Sequence, residues 1–262
     1  MPGSASFGRV NWIGFWTLYK REVRRFLKVY LQTIGAPVVM AMLFLAVFSL
    51  ALGRNVETVK GVPFLAFLAP GLMMMTIIQN AFTNSASSIM IAKVQGNIVD
   101  VLMPPLSPGE LTLAFALGGV TRGLIVGVAV AVVMSFVAPV SVANIALVAY
   151  HAVAASLLLS LIGVVAGIWA DKFDHMAAVT NFVITPLSFL SGTFYSIDKL
   201  QGVFRDLAYI NPFFYHIDGF RTGFIGHADA NPLFGVAVTL AANVALFAVA
   251  YGLFKRGWKL KA

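Results

Sequence analysis

The chain is 262 residues long, 60% hydrophobic and only 11% charged, with a formal charge of +8. Soluble domains carry about 25% charged residues, so the composition excludes an ordinary water-soluble fold and predicts an integral membrane protein. With no cysteine, disulfides, thiolate metal sites and a cysteine nucleophile are excluded too.

The apolar runs reach about 20 residues without period-two alternation, which favours helices over a barrel. Residues 1–10 read as a small polar tail with no signal-peptide cleavage pattern behind it. Residues 12–30 follow as an amphipathic helix. At 100° per residue, Trp12, Phe15, Trp16, Tyr19, Val23, Phe26, Leu27 and Tyr30 share one face, and Lys20, Arg21, Arg24, Arg25 and Lys28 share the opposite one. That pattern suits a helix lying in the interface on anionic lipid. The unit 1–30 is therefore expected to be a cytoplasmic tail and interfacial helix.

A single transmembrane domain is expected over 31–254. Its first span covers about 31–52, with Pro37 near its start, and residues 53–62 form a short hydrophilic turn. The second covers about 63–92, longer than the ~20 residues a bilayer needs. Its later half is polar on one side: Gln79, Thr83 and Ser87 stand at i, i+4 and i+8, with Asn80, Asn84 and Ser88 beside them. Such groups either face a polar path or hydrogen-bond a neighbouring helix, since lipid offers them nothing.

Lys93 to Glu110 is the stretch around which the chain is organised. Pro104, Pro105 and Pro108, between Asp100 and Glu110, prevent it from spanning. Yet Ile98, Val99, Val101, Leu102 and Met103 crowd apolar side chains around Asp100. A short helix capped by Asn97 and stopped by Pro104 would present them to something. On the residues alone, the lipid surface and a partner protein are equally good occupants.

The third span covers about 111–137 and contains Arg122. That residue is about 16 Å deep if the helix enters the bilayer near Leu111. On the preferred reading, residues 111–121 project into the cytoplasm and Arg122 snorkels to the interface. The fourth covers about 143–170, and His151 on it is expected to be an interior hydrogen-bonding residue. After the charged loop 171–175, the fifth covers about 176–194, with Asn181, Thr185, Ser188, Ser191 and Gly192 in one arc. Residues 197–231 interleave Phe and Leu with charges, which suits a re-entrant or partly sunken segment. The sixth covers about 232–254, and 255–262 is a basic tail. Twelve Lys and Arg fall on the side of the termini against five on the other, with Arg122 left aside. Both termini are thus expected in the cytoplasm. The charge belongs to topology and lipid contact, and no nucleic-acid partner is implied.

Two stretches carry a family resemblance. Gly96, Leu102, Pro104, Pro105 and Ser107 match the Gly-led short helix and Pro-rich stop of the loop between spans two and three in ATP-binding-cassette permeases of the type-2 class. Pro186 to Tyr195, with Ser191-Gly192, and Asn211-Pro212 through Tyr215, Asp218 and Arg221 resemble the outer re-entrant segment of the same permeases. The pattern departs at Ser196 and Gln201, near where relatives usually carry prolines. The resemblance covers about 12–256 and looks closest to short bacterial exporters of polysaccharide, nodulation-factor or drug type. It implies an all-α polytopic fold of six spans in the bacterial inner membrane. It further implies a coupling helix at about 97–103 that enters an ATPase, with Gly96, Asp100, Leu102, Pro104 and Ser107 as its residues, and makes the helix over 12–30 a connecting helix that also touches the ATPase. On the resemblance, two copies of the chain and two copies of a separate ATPase would share one path for an amphipathic or lipid-linked substrate. Gln79, Thr83, Ser87, Asn181, Thr185 and Ser188 are the candidates to line it. Physically, Ser191-Gly192 lets a helix end and reverse, Asn211 caps a helix with Pro212 at its first position, and Asp218 and Arg221 at i, i+3 are expected to neutralise one another.

No Gly-x-x-x-x-Gly-Lys-Ser/Thr phosphate loop occurs, so no cofactor is expected on this chain, and ATP and Mg are expected on the partner subunit. An ion-coupled carrier is the rival reading, disfavoured because the ten acidic residues map to loops or span ends. A channel or assembly factor stays open. An intramembrane hydrolase built on Ser191 lacks the nucleophile elbow and a paired histidine.

Overall fold

The computed structural model describes residues 10–52 and 58–260. The expected polar tail before Val10, the first half of the turn after span one, and the last two residues of the basic tail lie outside the described residues.

Asn11 starts helix α1 (Trp12–Leu27), its Oδ1 accepting from the Gly14 N–H at 3.0 Å. An elbow follows, pinned by the Thr33 hydroxyl donating to the Phe26 and Val29 carbonyls at 2.8 and 3.1 Å. The chain then makes a wide π-turn at Leu31–Gly35 and runs on as α2 (Ala36–Leu52). A second π-turn, Thr180–Ile184, joins α7 (Phe173–Val179) to α8 (Thr185–Leu190). Each π-turn holds the residue four before a proline, Thr33 before Pro37 and Phe182 before Pro186. A proline ring clashes with that carbonyl in a regular helix and donates no N–H, so the turn widens there.

Around these lie α3 (Phe64–Val94), α4 (Ile98–Leu102), α5 (Pro108–Met134), α6 (Ile145–Trp169), α9 (Val203–Ile210), α10 (Pro212–Ile225) and α11 (Pro232–Arg256). Among the described residues five helical stretches are long and apolar enough to cross a bilayer: Leu31–Ala51, α3, α5, α6 and α11. The expected fifth span is helical from Phe173 to Leu190, about 27 Å at 1.5 Å per residue. It ends earlier than the sequence suggested, because Ser191 and Gly192 turn the chain. The only strands among the described residues are β1 (Thr58–Val59) and β2 (Val62–Pro63), paired Thr58 to Pro63 and Val59 to Val62. Lys60 and Gly61 make their turn with both φ angles positive, as a tight hairpin requires.

Helix α3 is the axis of the bundle. It runs 31 residues, about 46 Å, and buries Phe67, Leu68, Met73, Met74, Ile78 and Phe82 completely. Helices α5 and α6 press against it through small residues, the packing that works where lipid removes the hydrophobic drive between helices. At Gly119 a Cβ would stand 2.2 Å from Ser160 Oγ and 2.6 Å from Ser85 Oγ. The two hydroxyls meet at 2.5 Å, one donating to the other, with the Phe115 carbonyl in reach of Ser85 and the Ala116 carbonyl in reach of Ser160. A second apolar cluster closes the end of the bundle below, with Ile89, Leu111, Phe115, Leu161, Ile168 and Phe254. At the opposite end α10 is buried along nearly its whole length against α3, α6 and α11, while α9 leaves Val203, Phe204, Leu207 and Ile210 exposed.

Candidate functional site

Helix α4 sits on the lower apolar cluster with one face only. Ile98 and Val101 are each 4% exposed, whereas Val99 is 47% and Met103 74% exposed. Asp100 is exposed beside them and Leu102 is half-buried. Gly96 enters the helix at φ +72°, and Asn97 holds the N-cap position without using its side chain as a cap. Its amide donates instead to Gln95 Oε1 at 3.3 Å, so the expected Asn97 cap is not made. Pro104 follows the C-cap Met103 and prevents a further turn.

The loop beyond is held from both sides. Ser107 and Glu110 form a reciprocal capping box at the start of α5, with the Ser107 N–H donating to Glu110 Oε2 at 2.6 Å. The other carboxylate oxygen accepts from the Asn11 N–H at 2.6 Å, and the Asn11 amide donates to the Pro105 carbonyl at 3.3 Å. One buried carboxylate thus ties α1, the proline loop and α5 together. Sequence reasoning did not single out Glu110 for this, although Ser-x-x-Glu after a proline is a readable capping signal.

Helix α1 is less of a lipid raft than its helical wheel implies. Its buried residues are Leu18, Glu22 and Phe26, while Trp12 and Trp16 stay 69% and 51% exposed. The reason is polar. Fully buried Glu22 accepts from Ser88 Oγ at 2.8 Å and pairs with Arg21 at 3.0 Å and Arg25 at 3.5 Å. Arg25 reaches on to the Asn84 carbonyl at 2.6 Å and Ser87 Oγ at 3.2 Å, and the Tyr19 and Thr121 hydroxyls meet at 2.9 Å. Arg122 does not snorkel. It is 9% exposed and donates to Asn80 Oδ1 at 3.0 Å, a partner that the burial of its guanidinium requires.

These contacts sort the polar arcs. Ser87 is taken by Arg25, and the Ser188 hydroxyl donates to the Ile184 carbonyl at 2.7 Å. Thr83 and Asn181 are exposed, and Gln79 and Thr185 half-buried. Gln79 borders a groove of about 320 Å³ between α2 and α3, which Gln32, Met40, Phe44, Met75 and Asn80 also line.

The far end is a hydrogen-bonded cage. Gly192 turns the chain at φ +76°, a conformation that disfavours any Cβ. Ser191 Oγ donates to the Leu187 carbonyl at 2.5 Å and accepts from Asn211 Nδ2 at 2.7 Å. Asn211 Oδ1 caps α10 through the Phe213 N–H at 3.0 Å, with Pro212 as the first helical residue. The Tyr215 hydroxyl donates to the Tyr209 carbonyl at 2.9 Å. Asp218 and Arg221 do not pair with one another. Arg221 donates to the Gly192 and Thr193 carbonyls at 2.7 and 3.1 Å and stacks over Phe67. Asp218 accepts from the Asp229 and Ala230 N–H groups at 2.8 and 3.0 Å. Each charge answers backbone groups that the reversing chain leaves open, a stronger need than mutual neutralisation. From the hairpin turn, Lys60 bridges Asp198 and Asp229. Burial works against its charge, but hydrogen bonds to Asp229 and Asp198 prevail and hold its pKa above the usual lysine value. His151 is fully buried, and neither ring nitrogen finds a partner, so the expected interior hydrogen bond is not there.

Long apolar helices, a clamped helical knuckle at one end and a reversing, hydrogen-bonded cap at the other define a polytopic all-α membrane protein. The chain belongs to the ABC-2 type transporter family, whose model matches residues 13–225. It is 36% identical over 254 residues to the inner membrane transport permease YadH of Escherichia coli (strain K12), covering 96% of this chain and 98% of the relative. It is 25% identical over 251 residues to nodulation protein J of Rhizobium leguminosarum bv. viciae, covering 95% of each. Accordingly the chain is a multi-pass inner-membrane protein and the transmembrane subunit of an ABC exporter, a membrane subunit rather than a catalytic one.

Proposed function

We propose that this subunit works as one of two identical halves around a shared path, each driven by a separate ATPase that seats on α4. The observation that carries the reading is the one-sided burial of that helix. Ile98 and Val101 anchor it, the Glu110–Asn11 clamp fixes its base, and Val99, Asp100 and Met103 are left facing outward. An exposed apolar pair around a carboxylate, on a rigid mount, suits a cleft in a partner protein. Gly96, Leu102, Pro104 and Ser107 shape and support that surface. In this reading both termini and α4 are cytoplasmic, and ATP and Mg bind the partner.

The path belongs at the groove between α2 and α3, which Gln79 lines, with exposed Thr83 and Asn181 as further candidates on the neighbouring surface. Half-buried Thr185 stays a candidate, while Ser87 and Ser188 are engaged by Arg25 and by the Ile184 carbonyl. Polar groups beside Met40, Phe44 and Met75 suit an amphipathic or lipid-linked cargo. The test is reconstitution. The purified chain alone in proteoliposomes should hydrolyse no ATP, and adding the ATPase that co-purifies from its host should give hydrolysis that depends on both subunits. Hydrolysis by the pure chain contradicts the proposal.

A further inference from the structure

The groove of about 320 Å³ between α2 and α3 changes character along its length. Gln32, Gln79 and Asn80 line the end nearer the elbow, and Phe44 and Leu72 line the other. Gln32 and Phe44 are separated by about 18 Å of helix at 1.5 Å per residue. Helix α5 packs on α2 and on the π-turn before it, and it brings Arg122 to the polar end. Arg122 Nη2 donates to Asn80 Oδ1 at 3.0 Å, while Asn80 gives its own amide to the Thr76 carbonyl at 3.0 Å.

The rest of that guanidinium is unspent. Its buried Nε finds no partner, and Arg122 makes no ion pair among the described residues. The charge that acts on it within the bundle is Arg25, a second cation that already has Glu22. Asn80 supplies an acceptor but no countercharge, and a buried charge is costly until it is paired. Helix packing does not call for a charge in this seam, since Ser85 and Ser160 join their helices through hydroxyls alone. An acidic group at the groove wall answers Arg122, because a guanidinium suits carboxylate and phosphate oxygens and its field carries far through a low-dielectric wall.

We propose that Arg122 makes the α2–α3 groove select amphiphiles whose polar head carries an acidic group, a phosphate or a carboxylate. The head sits at Gln32, Gln79 and Asn80, where Arg122 supplies the countercharge. The apolar stem runs past Met40 toward Phe44 and Leu72. The inference rests on reading this groove as the path, and it adds the sign and the direction of the cargo.

Photo-crosslinking of the full chain in phosphatidylcholine nanodiscs tests this, with lysophosphatidic acid and lysophosphatidylcholine probes that carry the same diazirine on the acyl chain. The acidic probe should label the peptides around Phe44 and Met75 about tenfold more than the zwitterionic one. Arg122→Gln should erase that preference and Arg122→Lys should keep it. Asn80→Asp, which gives Arg122 a carboxylate of its own, should raise Tm yet also erase the preference, and it decides the matter if Arg122→Gln does not fold. Millimolar inorganic phosphate should leave the labelling unchanged; its loss would assign the site to free anions and overturn the amphiphile. Equal labelling by both probes in the wild type, or a preference that survives Arg122→Gln or Asn80→Asp, would overturn the selection by Arg122 and leave the path standing. Labelling of the groove by neither probe would overturn the path reading as well.

Discussion

Glu22 and Arg122 are charges inside the bundle, and each is legible only through its partner. Ser88 lies 66 residues from Glu22 and Asn80 lies 42 residues from Arg122. Read alone, Glu22 is one of ten acidic residues at loops or span ends, and Asn84, Ser87 and Ser88 suit either a polar path or a helix contact. Together they are the glue between α1 and α3. Glu22→Leu leaves Arg25 without its carboxylate and Ser88 without an acceptor, and should cost about 1–3 kcal/mol. Thermal unfolding in detergent should show this as a clear fall in Tm, with exposed Thr17→Ala as the unchanged control. An unaltered Tm for Glu22→Leu would mean that α1 is held by its apolar residues alone.

Among the elements, the most readable were those punctuated by proline and glycine. The stop after α4, the cap of α10 at Asn211-Pro212 and the reversal at Gly192 all rest on local backbone chemistry that short sequence windows carry. The face that α1 buries was not readable, because its wheel records hydrophobicity and not the hydroxyls waiting on α3. Close helix packing gives a sharp test. Gly119→Leu drives a side chain into Ser160 and Ser85, so the yield of monodisperse protein should collapse, whereas Gly252→Ala, with nothing within 4 Å, should behave as wild type. Equal yields would contradict the α5–α6 contact.

The C-terminal tail offers a pH-dependent element. Lys259 donates to Asp171 at 2.6 Å and to the Trp169 carbonyl at 3.1 Å. The hydrogen bond from Lys259, with Lys93 close by, holds the Asp171 carboxyl below the usual aspartate range. A depressed carboxyl contributes fully above its unfolded value, about 3.9, and the contribution is lost as pH falls through the lower folded value. Trp258, whose ring lies 5.6 Å from Lys259 Nζ, should report release of the tail by its emission only below about pH 4. In Asp171→Asn that acid transition should be absent. An identical transition in both proteins would place the responsible carboxyl elsewhere.

At the scale of the whole molecule, composition and the two family stretches made the class legible, because a membrane allows few folds. The use of the polar arcs was not legible, since partners from distant helices decide it. The proposed orientation, termini and α4 in the cytoplasm, rests on the count of basic residues. In this cysteine-free chain, Asp100→Cys should react with an impermeant maleimide only from the cytoplasm and Asp206→Cys only from outside; labelling of both from one side would refute the topology.

The central claim, that a separate ATPase drives the chain through α4, is tested most directly by co-purifying the Val99→Asp/Met103→Asp variant with that ATPase. The substitutions replace two exposed apolar contacts, each worth roughly 1.5–3 kcal/mol when buried, and spare the Ile98 and Val101 anchors. Association should weaken at least tenfold and transport should fail, while membrane insertion and Tm stay at wild-type values. Recovery of the variant with its ATPase at wild-type stoichiometry, with transport intact, would show that α4 is not the coupling element.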